Sequence, residues 1–459
     1  MTPVVKRALG RLVRELGAGE VRTDRATLEA HAGDKWFASH VPDAVVYPST
    51  RESLVRVLRW ATRHGVPVTP RGAGHGYVGG CVPVRGGLVV SLDHWNRIVE
   101  ISEADFVAVV EPGVRTQALQ EAVEARGLYY PPDPASRADC SIGGNIATNA
   151  GGPRCLKYGT TRDYVLGLEV VLGDGTELRL GSRTHKNKTG FELARLFVGS
   201  EGLLGLVTEA TLKLIPRPPW KACVAAGLGS MRQAARVIRE IFAAGYLPCA
   251  LEVADRFTLQ AARKRTGDSR LAGCGAVIIL ELDGHERSVR GELRGVEGIL
   301  GRARPRFVQR ALGPAATERL WQLRREFSYA LRDTGLTKMN EDVVVPRGRL
   351  EELFELGARI QERHGFPVAC FGHAGDGNIH VNIMVDETEK DFGTRRDRAL
   401  DELFEGVLGM GGVITGEHGI GLAKKPWWSS AVPEAVRQVH RRLKAALDPK
   451  DVLNPGKFV

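Results

Sequence analysis

Two short runs of the chain carry side chains with chemistry to offer. Residues 371–382 read Phe-Gly-His-Ala-Gly-Asp-Gly-Asn-Ile-His-Val-Asn, and residues 416–421 read Gly-Glu-His-Gly-Ile-Gly. In the first run, apolar residues flank Asp376-Gly377 as two buried strands. Asp-Gly is a strong hairpin signal because a tight primed turn needs positive φ at both central residues. A two-residue turn there pairs 375 with 378, 374 with 379, and His373 with His380. Directly opposed Cβ atoms lie roughly 5 Å apart, so the two imidazoles can share one divalent ion. Zinc is commonly bound by His with a carboxylate completing the set, and Glu417 is the candidate third ligand. His418 follows it, leaves an extended chain on the opposite side, and is a candidate acid or base. Two histidines seven residues apart are usually unrelated; the separate Glu-His run between glycines gives the metal reading its weight.

The elements that must position these residues can be traced outward. Strands 222–228, 249–253 and 276–282 alternate with amphipathic helices 231–244, 255–264 and 286–299. Helix 315–333, strand 338–345, helix 347–363, the histidine hairpin and a charged helix near 389–408 follow, with a last helix at 433–446. This pattern predicts an α+β domain with a largely antiparallel sheet covered by helices. Pro216, Pro218 and Pro219 interrupt the pattern before it. The expected organisation is a cofactor domain over 1–217, a substrate-binding cap carrying the metal site over 218–428, and a C-terminal helix and tail over 429–459.

In the first part, strand 66–69 leads into Arg71-Gly-Ala-Gly-His-Gly-Tyr-Val-Gly-Gly80. A literal G-x-G-x-x-G lies at Gly74, Gly76 and Gly79, but a nicotinamide-binding fold requires a helix to start there. Pro83, Gly86-Gly87 and a strand-like run at 88–92 follow instead. The loop therefore reads as a phosphate cradle without a Rossmann helix, its backbone N–H groups facing an anion and Arg71 adding charge. Residues 140–152 are small at nearly every position. They predict backbone lying flat against a planar ligand, or else a tightly packed helix with glycine ends. A second glycine-punctuated apolar run spans 196–207.

Composition narrows the classes. The 459 residues are 43% hydrophobic and 26% charged, ordinary globular values. The net charge of +10 favours anionic partners. The basic residues form no aromatic-interleaved patch, which disfavours nucleic-acid binding. Seven cysteines at irregular spacing, with no CxxC, make neither a disulfide framework nor an iron–sulfur site. That suggests a reducing compartment, hence a cytoplasmic protein or one peripheral at the inner face of a membrane. Residues 1–20 read as an amphipathic opening helix, not a signal peptide. No run approaches 18 apolar residues, so no transmembrane segment is expected.

Taken together, these motifs resemble the FAD-linked oxidase family, with a flavin domain of the vanillyl-alcohol-oxidase/p-cresol-methylhydroxylase type. Within it they look like D-2-hydroxy-acid dehydrogenases: glycolate oxidase flavoprotein subunits, D-lactate dehydrogenases and D-2-hydroxyglutarate dehydrogenases. The resemblance covers roughly residues 35 to 459. Its most specific pieces are 372–380, 416–421, Gly199-Ser-Glu-Gly202 and Asn454-Pro-Gly-Lys457. It implies FAD between the two domains. The pyrophosphate would lie on Arg71, Gly72, Ala73, Gly74, His75, Gly76 and Gly79, and the ring against Cys140, Ser141, Gly143, Gly144, Asn149 and Gly151, with Pro134 a further cofactor residue. Glu201, Gly202, Val207 and Asn454 would complete the site. It further implies a divalent metal, usually zinc, on His373, His380 and Glu417, with His418 as the base. Arg324, Ser328, Lys338 and Asn378 would hold the substrate, a small-molecule 2-hydroxy acid; Arg325 is the alternative to Arg324. Many relatives carry Thr where this chain has His75, so that His is a candidate covalent link to the flavin 8α carbon, or a hydrogen-bond donor to a phosphate. Two alternatives stand beside the dehydrogenase. One is the flavoprotein subunit of a glycolate-oxidase-type complex, passing electrons to an iron–sulfur subunit, a quinone or an electron-transfer flavoprotein. The other is a transferase resembling alkylglycerone-phosphate synthase.

Overall fold

The computed structural model describes residues 3–16 and 19–459. The chain divides into two compact units. One comprises residues up to Gly151, Thr160–Arg217 and Glu417–Val459; the other comprises Gly152–Gly159 and Pro218–Gly416. The chain returns to the first unit at Glu417 and not near 428, and an eight-residue segment at 152–159 joins the second unit. Neither crossing leaves a compositional mark, so neither is legible in the sequence.

The first unit contains two main sheets. A four-stranded sheet runs in the order Val21–Arg22, Ala44–Val46, Leu88–Ser91, Val68–Arg71, with the first pairing antiparallel and the other two parallel. Its central strands are buried at every position because both faces are covered, and only Ser91 among them is polar. Helix Arg51–His64 packs on it through Leu54, Val57, Leu58 and Ala61. Thr50 begins that helix with a capping box shared with Ser53, and Gly65 ends it in the left-handed region. A five-stranded antiparallel sheet follows in the order Ile98–Ser102, Val107–Val110, Leu206–Lys213, Val165–Val171, Glu177–Gly181.

The second unit is built on one seven-stranded, wholly antiparallel sheet. Its order is Phe307–Leu312, Trp220–Leu228, Ala276–Gly284, Ala250–Asp255, Val368–His373, Asn378–Val385, Thr337–Val344. The edge strand Phe307–Leu312 escapes the sequence reading because only its alternate residues face the protein. Strand parity assigns the faces. Ala369 and Phe371 turn to the side carrying helices Arg256–Thr266 and Pro314–Arg332, where Leu259, Leu320, Phe327 and Leu331 complete the core. Val368 and Cys370 turn to the other side, against Gly357 of helix Leu350–His364. With both faces covered, all eight residues of Asn378–Val385 are buried. Polar side chains in those strands are therefore exceptions that need partners.

Candidate active site

His373 closes one of these central strands and His380 lies third in the next. The structure pairs His373 with Asn378 and Phe371 with His380, so the two histidines are diagonal, not opposed. The two-residue turn is replaced by a four-residue connection, Ala374 to Gly377. Its backbone is engaged from outside the hairpin. The Gly375 N–H donates to the Leu251 carbonyl at 3.0 Å, and the Gly377 carbonyl accepts from the Val345 N–H at 3.1 Å. These bonds outweigh the local preference for a tight turn. A register change of two residues leaves both imidazoles on one face, whereas a change of one would have separated them. Their ring centroids lie 5.5 Å apart with the planes at 80°.

Glu417 is brought to this pair by its own chain neighbours. Asp342 is fully buried and is the cross-strand partner of His380. Its carboxylate accepts from the Gly416 N–H at 2.7 Å and the Thr415 hydroxyl at 3.2 Å. One donor atom from each of His373, His380 and Glu417 lies within 4.8 Å of the other two. Ligand bonds of ~2.1 Å to a tetrahedral zinc place ligand atoms ~3.4 Å apart, so small side-chain rotations would close the set on an ion. Residues 416–418 bend and do not run extended as the sequence suggested. The His418 ring stacks on Tyr77, with centroids 5.3 Å apart and planes 28° apart.

The donor set fits a metal for a further reason. His373 Nδ1 lies 2.7 Å from Glu252 Oε1, and Glu252 Oε2 accepts from Arg324 Nε at 2.5 Å. Burial pushes the Glu252 pKa up, but His373 and Arg324 outweigh it and hold the carboxyl at about 2. With Nδ1–H donating to Glu252, Nε2 keeps the lone pair that a metal needs. Such carboxylate–histidine pairs orient metal ligands and raise their basicity. Sequence reasoning missed Glu252, Asp342 and Tyr77. The signal for Glu252 was a lone acid inside an apolar strand, Ala-Leu-Glu-Val-Ala, and for Asp342 an acid pair entering the apolar end of a strand, Asn-Glu-Asp-Val-Val.

The expected substrate residues divide. Arg324 faces inward, paired with Glu252 and lying over the Phe371 ring at 4.9 Å. Arg325 faces outward in an exposed pair with Glu318, which removes it as the alternative anchor. Ser328, one helical turn from Arg324, accepts from Lys338 Nζ at 2.9 Å. Burial, with the Arg332 and Arg324 charges nearby, lowers the Lys338 pKa to about 8. Asn378 donates to the Val343 carbonyl at 3.0 Å, and its amide packs where a Cβ on residue 416 would sit. It thus braces the approach to Glu417. Asn382, on the face of His380, is fully buried and donates to the Ala369 and His380 carbonyls. Among the described residues its Oδ1 has no partner.

The glycine loop fits a phosphate cradle. Ala73 N–H donates to Ser141 Oγ at 3.3 Å, which sets the loop on the start of helix Ile142–Thr148. Within the 140–152 run, Ile142–Thr148 form a helix capped by Ser141. Among the described residues, the consecutive N–H groups of His75, Gly76 and Tyr77 donate to no protein acceptor, as an anion site requires. Gly74 has φ +71, and a Cβ there would strike the Arg71 guanidinium. Arg71 itself donates to the Gly33 carbonyl at 2.6 Å and so braces the loop from within. Burial, with the Lys35 charge, lowers the His75 pKa.

The remaining expected cofactor residues sit around this core. Gly72 packs on Ser141 Oγ, Gly143 on Pro112, and Gly202 on Pro70. Asn149 takes the left-handed cap of its helix and accepts from the Arg162 N–H at 2.9 Å. Cys140 is a buried free thiol near the Thr116 hydroxyl, and Gly151 is buried. The Pro134 carbonyl accepts from the Arg137 N–H, and Val207 pairs with Val170 in the five-stranded sheet. Asn454 ties the C-terminal tail to the Gly80 and Glu201 carbonyls at 2.9 and 2.8 Å. The Glu201 carboxylate accepts from the N–H groups of Ile420 and Gly421.

Comparison with known proteins gives the family. Residues 42–181 match the FAD binding domain family, and residues 217–458 match the family described as FAD linked oxidases, C-terminal domain. The chain is 40% identical over 418 residues to the glycolate oxidase subunit GlcD of Bacillus subtilis, covering 91% of this chain and 89% of that protein. It is 34% identical over 459 residues to the D-2-hydroxyglutarate dehydrogenase of Xanthomonas citri pv. viticola, covering 97% and 96%. Its fold matches p-cresol methylhydroxylase with a TM-score of 0.81 at 18% identity, over 100% of this chain and 97% of that one. No helix among the described residues is long and apolar enough to cross a membrane. This chain belongs to the FAD-linked oxidases and is an oxidoreductase of that family.

Proposed function

We propose that this protein oxidises a D-2-hydroxy acid to the 2-oxo acid, with FAD as the immediate oxidant and a divalent metal, zinc in the first instance, at the reaction centre. The observation that carries this reading is the convergence of His373, His380 and Glu417 donor atoms within 4.8 Å, with His373 oriented by a buried carboxylate. Bound FAD supplies the two-electron acceptor for the α-hydrogen. A metal held by the three donors would supply Lewis-acid polarisation of the substrate hydroxyl.

The chain's own residues do the rest. Lys338, steadied by Ser328, binds the substrate carboxylate as a charge. Arg324, held by Glu252, adds a second positive charge and keeps that carboxylate in register. His418, braced on Tyr77, takes the hydroxyl proton at a ring nitrogen; an imidazole suits this task near neutral pH. The loop at 72–76 holds the cofactor phosphates.

The named relatives include a subunit of an oxidase, and no iron–sulfur cysteine pattern exists here. This reading gives the reoxidation of the reduced cofactor to a separate electron-accepting partner, and rapid turnover of the isolated chain with oxygen would remove that partner. The test is anaerobic mixing of the flavin-loaded protein with glycolate and with both hands of lactate, malate and 2-hydroxyglutarate. Bleaching at 450 nm by a D-acid or by glycolate supports the assignment. An absence of bleaching by every member, with flavin bound, removes it and favours a transferase that uses flavin without net oxidation.

A further inference from the structure

Glu201 lies in the Gly199-Ser-Glu-Gly202 turn of the first unit, far in sequence from the candidate metal ligands and from His418. It is buried, and it takes φ +50, an uncommon backbone state for a side chain of its size. Both carboxylate oxygens are used. Oε1 accepts from the Ile420 N–H at 2.7 Å and Oε2 from the Gly421 N–H at 2.8 Å. These are successive amides, so they form a small backbone nest around an anion supplied by the protein itself. Charge-assisted bonds of this kind are about twice as strong as neutral ones.

The nest is built to receive this side chain. Gly419 has φ +89, and a Cβ there would sit 2.7 Å from Glu201 Oε1. The loop is tied down again just beyond, where Leu422 and Ala423 both donate to the Val78 carbonyl at 2.7 and 3.1 Å. Glu201 is itself fixed from behind, because Asn454 donates to its carbonyl. Burial raises the Glu201 pKa to about 7, against the pull of the Ile420 and Gly421 amides and the Lys457 and Lys424 charges.

We infer that Glu201 is a positioning residue for the reaction centre: it anchors the downstream end of the loop that carries Glu417 and His418, as Asp342 anchors the upstream end through Thr415 and Gly416. The loop is then clamped on both sides of its two functional residues, three residues past Glu417 and one residue before it. Glu201 touches neither substrate nor metal in this role, which is separate from the flavin contact that the resemblance implies for it. The inference rests on the metal and base roles given to Glu417 and His418 above.

The test is Glu201→Gln, which keeps the volume but offers one acceptor and one donor to two N–H groups. The donor faces a donor, so one end of the nest opens. The flavin-loaded full-length variant is compared with the wild type for zinc affinity by chelator competition, for kcat and KM, and for flavin content. A tenfold or greater loss of zinc affinity and of kcat, with KM and flavin content near wild type, is expected. Gly419→Ala pushes on the same contact from the loop side, and the double variant should lose little more than either single one. Wild-type zinc affinity and kcat in Glu201→Gln overturn the inference. So does loss of flavin in step with zinc, which would make Glu201 a general folding residue; additive losses in the double variant would count against it equally. A wild-type protein that binds no zinc yet turns over refutes the metal assignment instead, and kcat at full flavin content still decides on Glu201.

Discussion

Replacing Glu252 by glutamine removes one charge and almost no volume, at a position with no exposed surface. The carboxylate divides its oxygens between His373 Nδ1 at 2.7 Å and Arg324 Nε at 2.5 Å. A glutamine amide can accept from only one of them, and its NH2 group then faces the other donor. If it keeps Arg324, His373 loses the acceptor that fixes its tautomer. Losing such an outer partner typically lowers metal affinity about 10- to 100-fold, or roughly 1.4–2.7 kcal/mol. If it keeps His373, the Arg324 guanidinium is stranded; breaking one side of a buried pair costs about 3–5 kcal/mol of stability. The two consequences are measured separately, by chelator competition for the metal and by denaturant unfolding of the metal-free protein. The expected result for Glu252→Gln is at least a tenfold weaker metal Kd, with kcat partly restored at saturating metal and flavin content unchanged. A variant with the wild-type metal Kd and wild-type kcat would refute the carboxylate–imidazole–metal chain.

Three other outcomes follow from the same geometry. Lys338 has its pKa lowered to about 8, so its charge is present below that pH and lost above it. KM for an anionic substrate should therefore rise as pH passes 8, and Lys338→Met should raise KM at neutral pH and flatten that dependence. An unfolded lysine keeps its proton to about 10.4, so stability should gain between about pH 8 and 10 in the wild type and not in the variant, as unfolding against pH will show. Arg324→Ala should cost about 3 kcal/mol or more by stranding Glu252, while Arg325→Ala, in an exposed pair, should stay within about 0.5 kcal/mol; equal effects would contradict the inward and outward assignment. His75 belongs to a run of backbone donors suited to a phosphate, so acid precipitation should release yellow flavin into the supernatant. Colour held in the pellet would show an 8α covalent bond instead.

The sequence marked which residues come together better than how they are joined. The Asp-Gly hairpin was expected as a two-residue turn and folds as a four-residue one because Leu251 and Val345, remote in sequence, bond its backbone. The histidine pair survived the error because the slip was an even number. Helices such as 231–243 and 286–302 were readable from periodicity, since each has one apolar face. The edge strand Phe307–Leu312 was not, because its exposed half carries Val308, Arg310 and Leu312. Asn454 and Glu201 look like cofactor residues in a string of motifs, and the string does not show that the Asn454 amide also holds the Gly80 and Glu201 carbonyls or that the Glu201 carboxylate holds the 416–421 loop. Glu252 and Asp342 were hidden for a related reason. An acid in a buried strand is conspicuous, but the partners of these two come from a helix 72 residues away and a loop 74 residues away, and spacing alone cannot name them.

The central claim is that a metal on His373, His380 and Glu417 is needed for substrate oxidation by the bound flavin. Stopped-flow flavin reduction by the best D-2-hydroxy acid, recorded before chelation, after it and after zinc is returned, tests this most directly. The account predicts a reduction rate at least 100-fold lower in the chelated protein at unchanged flavin content, and recovery with zinc. Flavin reduction at the original rate in metal-free protein would contradict it.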